Sequence, residues 1–303
     1  MVLGVRLRFL ALSLLLAAIA YYASPLEPGA GAVLAITVFT GAMWFSEAMP
    51  LHATALLSTV LLIVSGSSTA AGAFSPYFSP TVVLFFGGFM VARAMQKHGL
   101  DRQIAAAFSS GFGTGPGRYL FGLMAATAFL SLWISNTAAT AMMLPIALIA
   151  IKRSGLTPKS SYAKSVVLGI AFAATIGGIG TIVGTPPNGI AVAGLAEAGI
   201  ELSFLEWMLF GMPFVILFLP LSWLILIRVF PPEIGKVAAG KEAGEWGAEG
   251  KTVAAVLALA VAAWVTSFAH GVPDAAVAVG AVVLLYALGL LDAGDASRID
   301  WGT

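Results

Sequence analysis

Long apolar runs, interrupted by short breaks marked by Pro, Gly or charge, set the pattern of this chain. The runs predict helices at roughly 8–24, 30–46, 53–66 and 79–98, and again near 162–184, 188–198, 204–229, 252–269 and 274–291. Several reach the about 20 residues needed to cross a hydrocarbon core of about 30 Å. The breaks read "SPLEPG", "SEAMPLH", "PPEIGKVAAGKEAGEWGAEGK" and "HGVPD". A more polar, amphipathic piece lies around 101–112. One stretch, 119–151, departs from the pattern, because it carries "SLWISNTAATAMMLP". Ser135, Asn136, Thr137 and Thr140 stand among Leu, Trp, Ile, Ala and Met with no turn signal to carry them into water. A buried amide or hydroxyl without a partner costs about 2–7 kcal/mol. Whatever satisfies these groups is the candidate function.

Composition turns apolar runs into a class. Of 303 residues, 59% are hydrophobic and only 10% charged, with mean hydropathy +0.98. Soluble domains carry roughly 25% charged residues, so the chain is an all-α polytopic membrane protein. A net charge of +1 argues for no nucleic-acid partner, and the absence of cysteine removes disulfides and thiolate chemistry. His52, His98 and His270 are widely separated and form no ligand pattern. The N-terminal "MVLGVRLRFLALSLLLAAIAYYASP" also fits a secretory signal peptide. In an otherwise membrane-embedded chain, it reads as an uncleaved first helix with a cytoplasmic basic flank.

The puzzling segment either crosses the membrane once or enters and leaves on one side, and the basic residues decide. Cytoplasmic loops are enriched in Lys and Arg. A re-entrant hairpin places all 15 Lys and Arg on the inner side. A single crossing flips everything from Lys152 onward and leaves 6 inside and 9 outside. The hairpin arms, Leu120–Trp133 and Met142–Ile151, would be about 21 Å and about 15 Å long as helix. Both are too short to span, so the tip Ser135-Asn136-Thr137 is expected near the midplane, where non-helical backbone survives only under cover of protein or around a cavity.

A second break lies in "TIGGIGTIVGTPPNGIAVAG". The run from Ser165 to Val183 predicts a helix rich in small residues, which Pro186 and Pro187 would interrupt by depriving the carbonyls of Ile182 and Val183 of donors. Small residues alone serve close packing, and a Pro pair alone can be a kink. Two polar breaks at one estimated depth instead suggest the discontinuous helices of secondary transporters, whose carbonyl ends face cations and whose N-termini face anions. The run "GFGTGPG" at 111–117 lacks the Lys-Ser/Thr ending of a phosphate loop and reads as a connection.

"SNTAATAMMLP" followed by "GTPPN" resembles the divalent anion/sodium symporter family, the sodium-coupled carriers of dicarboxylates, citrate and sulfate. "WFSEAMPLHATALL", through Trp44, Glu47, Pro50, Leu51 and Thr54, is similar to that family's early signature. The resemblance implies an inverted-repeat fold, a homodimer, and an elevator-like motion of a transport domain against a scaffold. It implies a sodium site of Ser131, Ser135 and Asn136 with carbonyls around Gly184. It likewise implies substrate contacts from Ser135, Asn136, Thr137, Thr185 and Pro186.

On this reading residues 1–112 are scaffold helices and 113–153 form the re-entrant hairpin of the transport domain. Residues 154–231 hold the broken helix and the one after it, and 232–303 a cytoplasmic linker and the first helices of a second repeat. Ser-Asn-Thr occurs once, and "RIDWGT" looks like the start of a counterpart to "FSPTVVLFFGG". The expectation is therefore a C-terminally incomplete chain with one repeat and the start of another, which does not transport alone. The function expected of the complete protein is sodium-coupled symport of small di- or tricarboxylates across the cell (inner) membrane. A sodium-independent dicarboxylate exchanger, a sulfate-type anion transporter, and a membrane scaffold without transport activity are the alternatives. An enzyme is disfavoured, since no Asp, Glu or His falls at midplane depth.

Overall fold

A computed structural model describes residues 2–238 and 247–299. These form helices throughout, with no strand among the described residues. Six helical stretches among them are long and apolar enough to cross a membrane. The chain divides into two compact units, residues 2–79 and 80–299. Lys241 and the tail after Ile299, both used in the sequence argument, lie outside the described residues.

The first unit contains α1 (Val2–Ala23), α2 (Pro28–Ser46), α3 (Leu51–Val64) and α4 (Ala70–Phe74), followed by a 3₁₀ turn at Ser75–Phe78. Proline punctuates it: Pro28 sits in the first turn of α2, where its missing N–H costs nothing, and Pro50 caps α3. Glu47 ends α2 in the left-handed region at φ 49°, its N–H donating to Trp44 O at 3.3 Å. Phe39, Met43 and Ala48 make a small core. The short helix α4 and the turn after it carry no sequence signal of their own and were not expected. Leu12, Leu14, Leu15 and Ile19 of α1 are exposed, which suits lipid rather than water as the solvent.

The second unit contains the remaining elements. They are α5 (Pro80–Lys97), α6 (Leu100–Gly111), α7 (Pro116–Ser131), α8 (Asn136–Arg153), α9 (Ser161–Gly178), α10 (Pro186–Glu197), α11 (Phe204–Val229), α12 (Ala248–Val265), α13 (Ser267–His270) and α14 (Asp274–Ala287). Single 3₁₀ turns occur at Ile182–Gly184 and Ala296–Arg298. The long run expected at 252–269 is thus α12, a bend at Thr266, and the single turn α13. α7 is the most enclosed helix, with Leu120, Leu123, Met124, Ala126 and Leu130 fully buried. It packs mainly on α9, and α5 packs mainly on α14.

The two ends of this unit differ in charge. Tyr162 Oη donates to Pro116 O (2.7 Å), Val237 N–H to Thr114 O (2.8 Å), and Ala238 N–H to Ser154 Oγ (2.9 Å). The start of α7, the end of α8, the start of α9 and the segment after α11 therefore meet at one end. Tyr119, Arg102 and Arg153 line one cavity, which adds α6. At the foot of α5, Asp295 is almost fully buried between Arg93 (3.0 Å) and Lys97 (2.7 Å). Its neighbour His98 bridges Glu249 and the Leu290 carbonyl, each at 2.8 Å. The opposite end, tied by Phe204 N–H and Trp264 Nε1 to Asp274 (2.7 and 3.0 Å), carries Glu197, Glu201, Glu206 and Asp274 and, among the described residues, no Lys or Arg.

Candidate functional site: a hairpin tip against a helix break

The stretch 119–151 is a hairpin. α7 and α8 are joined by only Leu132–Ser135, and their open ends lie together at the basic end. The arms are longer than the sequence suggested. They begin at Pro116 and end at Arg153, with 16 and 18 residues and about 24 and 27 Å of helix. The first arm gains at its foot and ends at Ser131, short of the expected Trp133, whereas the second gains mainly at the tip, where Asn136 and Thr137 belong to α8 itself. Ser135 is its N-cap, at φ −58°, ψ 147°, and its Oγ accepts the Ala138 N–H at 3.3 Å. Capping by Ser satisfies one of the first-turn donors. The N–H groups of Asn136 and Thr137 find no partner among the described residues.

The downstream break also lies elsewhere than the proline pair suggested. α9 stops at Gly178, five residues before the expected limit at Val183, and the backbone runs through Thr181 in extended form to the turn Ile182–Gly184. Pro186 and Pro187 do not interrupt a helix but start α10, where their fixed φ suits the first turn. What ends α9 is the approach of the hairpin tip. A Cβ on Gly178 would collide with Asn136 Oδ1, and one on Gly184 would stand 2.9 Å from Ser131 O and closer still to Gly178 O. Only glycine admits such contacts.

The released carbonyls are answered by side chains. Asn188 is buried, and its Nδ2 donates to Gly178 O (2.8 Å) and Thr181 O (2.7 Å). Thr181 Oγ1 donates to Leu132 O at 2.5 Å, fastening the break to the hairpin turn. Trp207 Nε1 from α11 donates to Ile179 O at 2.9 Å. None of these three was singled out from the sequence. Asn188 had a readable signal, an amide after two prolines in an apolar run; Thr181 and Trp207 had none.

The polar centre of the site is Ser131. Its side chain is fully buried, and Oγ lies 2.7 Å from both Asn136 Oδ1 and Ala174 O. A hydroxyl has one proton, so it can donate to only one of these two acceptors. Three oxygens therefore converge beside the Gly178–Gly184 break. Ser131 Oγ lies against Asn136 Oδ1, and Gly184 lies against the Ser131 carbonyl. Ser135 and Asn136 are half-buried, and Thr137 is exposed at the rim. Thr185 and Pro186, also half-buried, adjoin the cluster through Gly184, with no hydrogen bond to the tip among the described residues. The tip meets the C-terminal end of α9, which is about 27 Å long, with about 18 Å of α10 beyond. The hairpin turn lies towards the acidic end of the unit, where Trp133 stacks on Phe204 with ring centroids 6.4 Å apart. Metal-ligating groups of three or more His, Asp or Glu are absent among the described residues, so any cation here would meet hydroxyl, amide and carbonyl oxygens.

A helical hairpin against a broken helix, with six helical stretches long and apolar enough to cross a membrane among the described residues, defines the class as an all-α polytopic membrane protein. Residues 41–303 match the protein-family model CitMHS, described as a citrate transporter. The chain is 35% identical, over 297 residues, to the sodium-dependent dicarboxylate transporter SdcS of Staphylococcus aureus strain USA300. It is 36% identical, over 296 residues, to SdcS of Staphylococcus saprophyticus. Each alignment takes in 89% of this chain and 57% of the relative, so the chain spans little more than half the length of the relatives it matches. The chain belongs to the divalent anion/sodium symporter family, a family of transporters and not of enzymes.

Proposed function

We propose that the protein takes part in sodium-coupled symport of small di- or tricarboxylates, with sodium as the coupling ion. Ser131 Oγ, Ser135, Asn136 Oδ1 and the backbone around Gly184 hold the cation, and Ser135, Asn136, Thr137, Thr185 and Pro186 face the carboxylate. The observation that carries this reading is the convergence of Ser131 Oγ, Asn136 Oδ1 and Ala174 O on one buried point. Hard oxygen donors suit an alkali cation, and a bound cation would relieve the crowding of acceptors around a single proton. The α8 N-terminus supplies the complementary feature for an anion: a positive dipole end with the N–H groups of Asn136 and Thr137 open. α10 contributes a dipole but no donors at its first two positions, which are Pro186 and Pro187. The substrate names of the two Staphylococcus relatives and of the family model agree with this assignment.

The division of labour follows the same reading. Residues 113–153 are the re-entrant hairpin of the transport domain, 154–231 hold the broken helix and the helix after it, 1–112 are scaffold helices, and 232–303 hold a cytoplasmic linker and the first helices of a second repeat. Movement of the transport domain past the scaffold, elevator-fashion in a homodimer of the inner membrane, exposes the tip alternately to each side. With the N-terminus cytoplasmic, the basic end of the second unit faces the cytoplasm. The test is uptake of labelled succinate into vesicles containing the protein, with an inward sodium gradient and with sodium replaced by choline. Uptake that needs the gradient supports symport, and equal uptake without sodium refutes sodium coupling.

A further inference from the structure

A cavity of about 460 Å³ lies between α6, α7 and α8, away from the hairpin tip. α8 lines it with Met142, Pro145, Ile146 and Ile149, a stripe at helical spacing on one face. At the end of that stripe stands Arg153, about 17 Å from Met142 along the helix. Arg102 of α6 lines the same cavity. Both arginines are exposed, and neither forms an ion pair with a carboxylate among the described residues. The nearest acidic neighbour in sequence, Asp101, is buried, its carboxylate accepting the Arg102 N–H at 2.7 Å. Burial pushes the Asp101 carboxyl above its ordinary range, while the Arg102 N–H and the Arg102 charge pull it down.

The lining is that of an amphiphile's counterpart: positive charge at one end and an apolar wall for the remaining length. A small free anion held by the arginines would leave the apolar α8 stripe uncovered. Basic pockets between membrane helices on the cytoplasmic side are suited to acidic lipid headgroups, and the mouth lies at the basic end of its unit. α6 itself is amphipathic, burying Leu100 and Ala105 while presenting Arg102, as helices lying in the membrane interface do. We propose that this cavity is a binding site for an acidic phospholipid of the bilayer, its phosphate held between Arg102 and Arg153 and one acyl chain laid along the α8 stripe. The site does not depend on what is transported.

The test is the composition of lipid retained by the purified protein after equilibration with vesicles of mixed phosphatidylcholine and phosphatidylglycerol, read by native mass spectrometry. The wild-type chain is expected to retain phosphatidylglycerol several-fold above its share in the vesicles. The double variant Arg102→Gln with Arg153→Gln is expected to return to the bulk ratio. Ile146→Trp, which fills the groove and leaves both arginines, is expected to do the same. Helical content by circular dichroism confirms that each variant is folded. Retention at the bulk ratio by the wild type, as when another segment of protein fills the cavity, overturns the proposal. So does enrichment untouched by the double arginine change, or enrichment untouched by Ile146→Trp, which marks surface attraction without an acyl seat. Displacement of the lipid by inorganic phosphate alone would assign the arginines to a free anion and equally refute the lipid.

Discussion

Replacing Asn188 tests how the break between α9 and α10 is held open. Its Nδ2 donates to Gly178 O at 2.8 Å and Thr181 O at 2.7 Å from a position only 5% exposed. In Asn188→Ala, Thr181 O keeps the Gly184 N–H at 3.3 Å, but Gly178 O loses its donor. A buried acceptor left alone costs about 1–3 kcal/mol in water-soluble proteins, and a lost neutral bond about 1 kcal/mol. Polar contacts between membrane helices average nearer 0.6 kcal/mol, because the unfolded chain in the bilayer finds other partners. Together these give a loss of about 1–3 kcal/mol for Asn188→Ala. Asn188→Asp should be worse than Ala, since it turns an acceptor towards two carbonyls. The assay is equilibrium unfolding in mixed micelles with increasing sodium dodecyl sulfate, followed by circular dichroism. If Asp is tolerated as well as Ala, the two carbonyls do not face this side chain and the description of the break is wrong.

Two further outcomes follow from the basic end. The backbone N–H groups of Tyr162 and Ser161 hold the Glu233 carboxyl below its ordinary range, so its stabilising contribution is full above the unfolded value of about 4.3 and is lost as pH falls through the lower folded value. Protection against hydrogen exchange at the start of α9, taken relative to the intrinsic amide rate at each pH, should therefore hold at pH 6 and fall only below about pH 4.3, and Glu233→Gln should remove that dependence; loss of protection already near neutral pH would contradict the cap. With no native cysteine, single cysteines beside Arg118 and Lys159 should both be labelled by an impermeant thiol reagent from the cytoplasmic face only. Labelling of either from outside would refute a hairpin that enters and leaves on one side.

The hairpin was legible because two independent sequence signals agreed: the distribution of Lys and Arg, and a polar triplet with no turn chemistry. The family motifs then pointed to Ser131, Asn136 and Gly184, which the fold gathers. The helix break was placed wrongly because Pro186 and Pro187 were read as interrupting a helix. The interruption is made instead by tertiary contact, with the hairpin tip lying where side chains on Gly178 and Gly184 would be. Such an event is invisible to any local pattern. For the same reason Thr181, Trp207 and the Ala174 carbonyl escaped notice, since their partners are distant in sequence. The second arm exceeds its expected length because the polar tip residues read as a loop, whereas Ser135 caps a helix that Asn136 and Thr137 begin.

The account rests on sodium binding where the hairpin tip meets the helix break, and sodium-dependent stability tests this without requiring transport. Purified protein is heated in sodium chloride and in choline chloride at equal ionic strength, as wild type, as Ser131→Ala and as Asn136→Ala. A ligand that binds only the folded state stabilises it in a saturable way. The wild type should gain melting temperature with sodium until saturation, and both variants, each measured against its own melting in choline, should lose most of that gain. An unchanged sodium response in Asn136→Ala would contradict the assignment of this site.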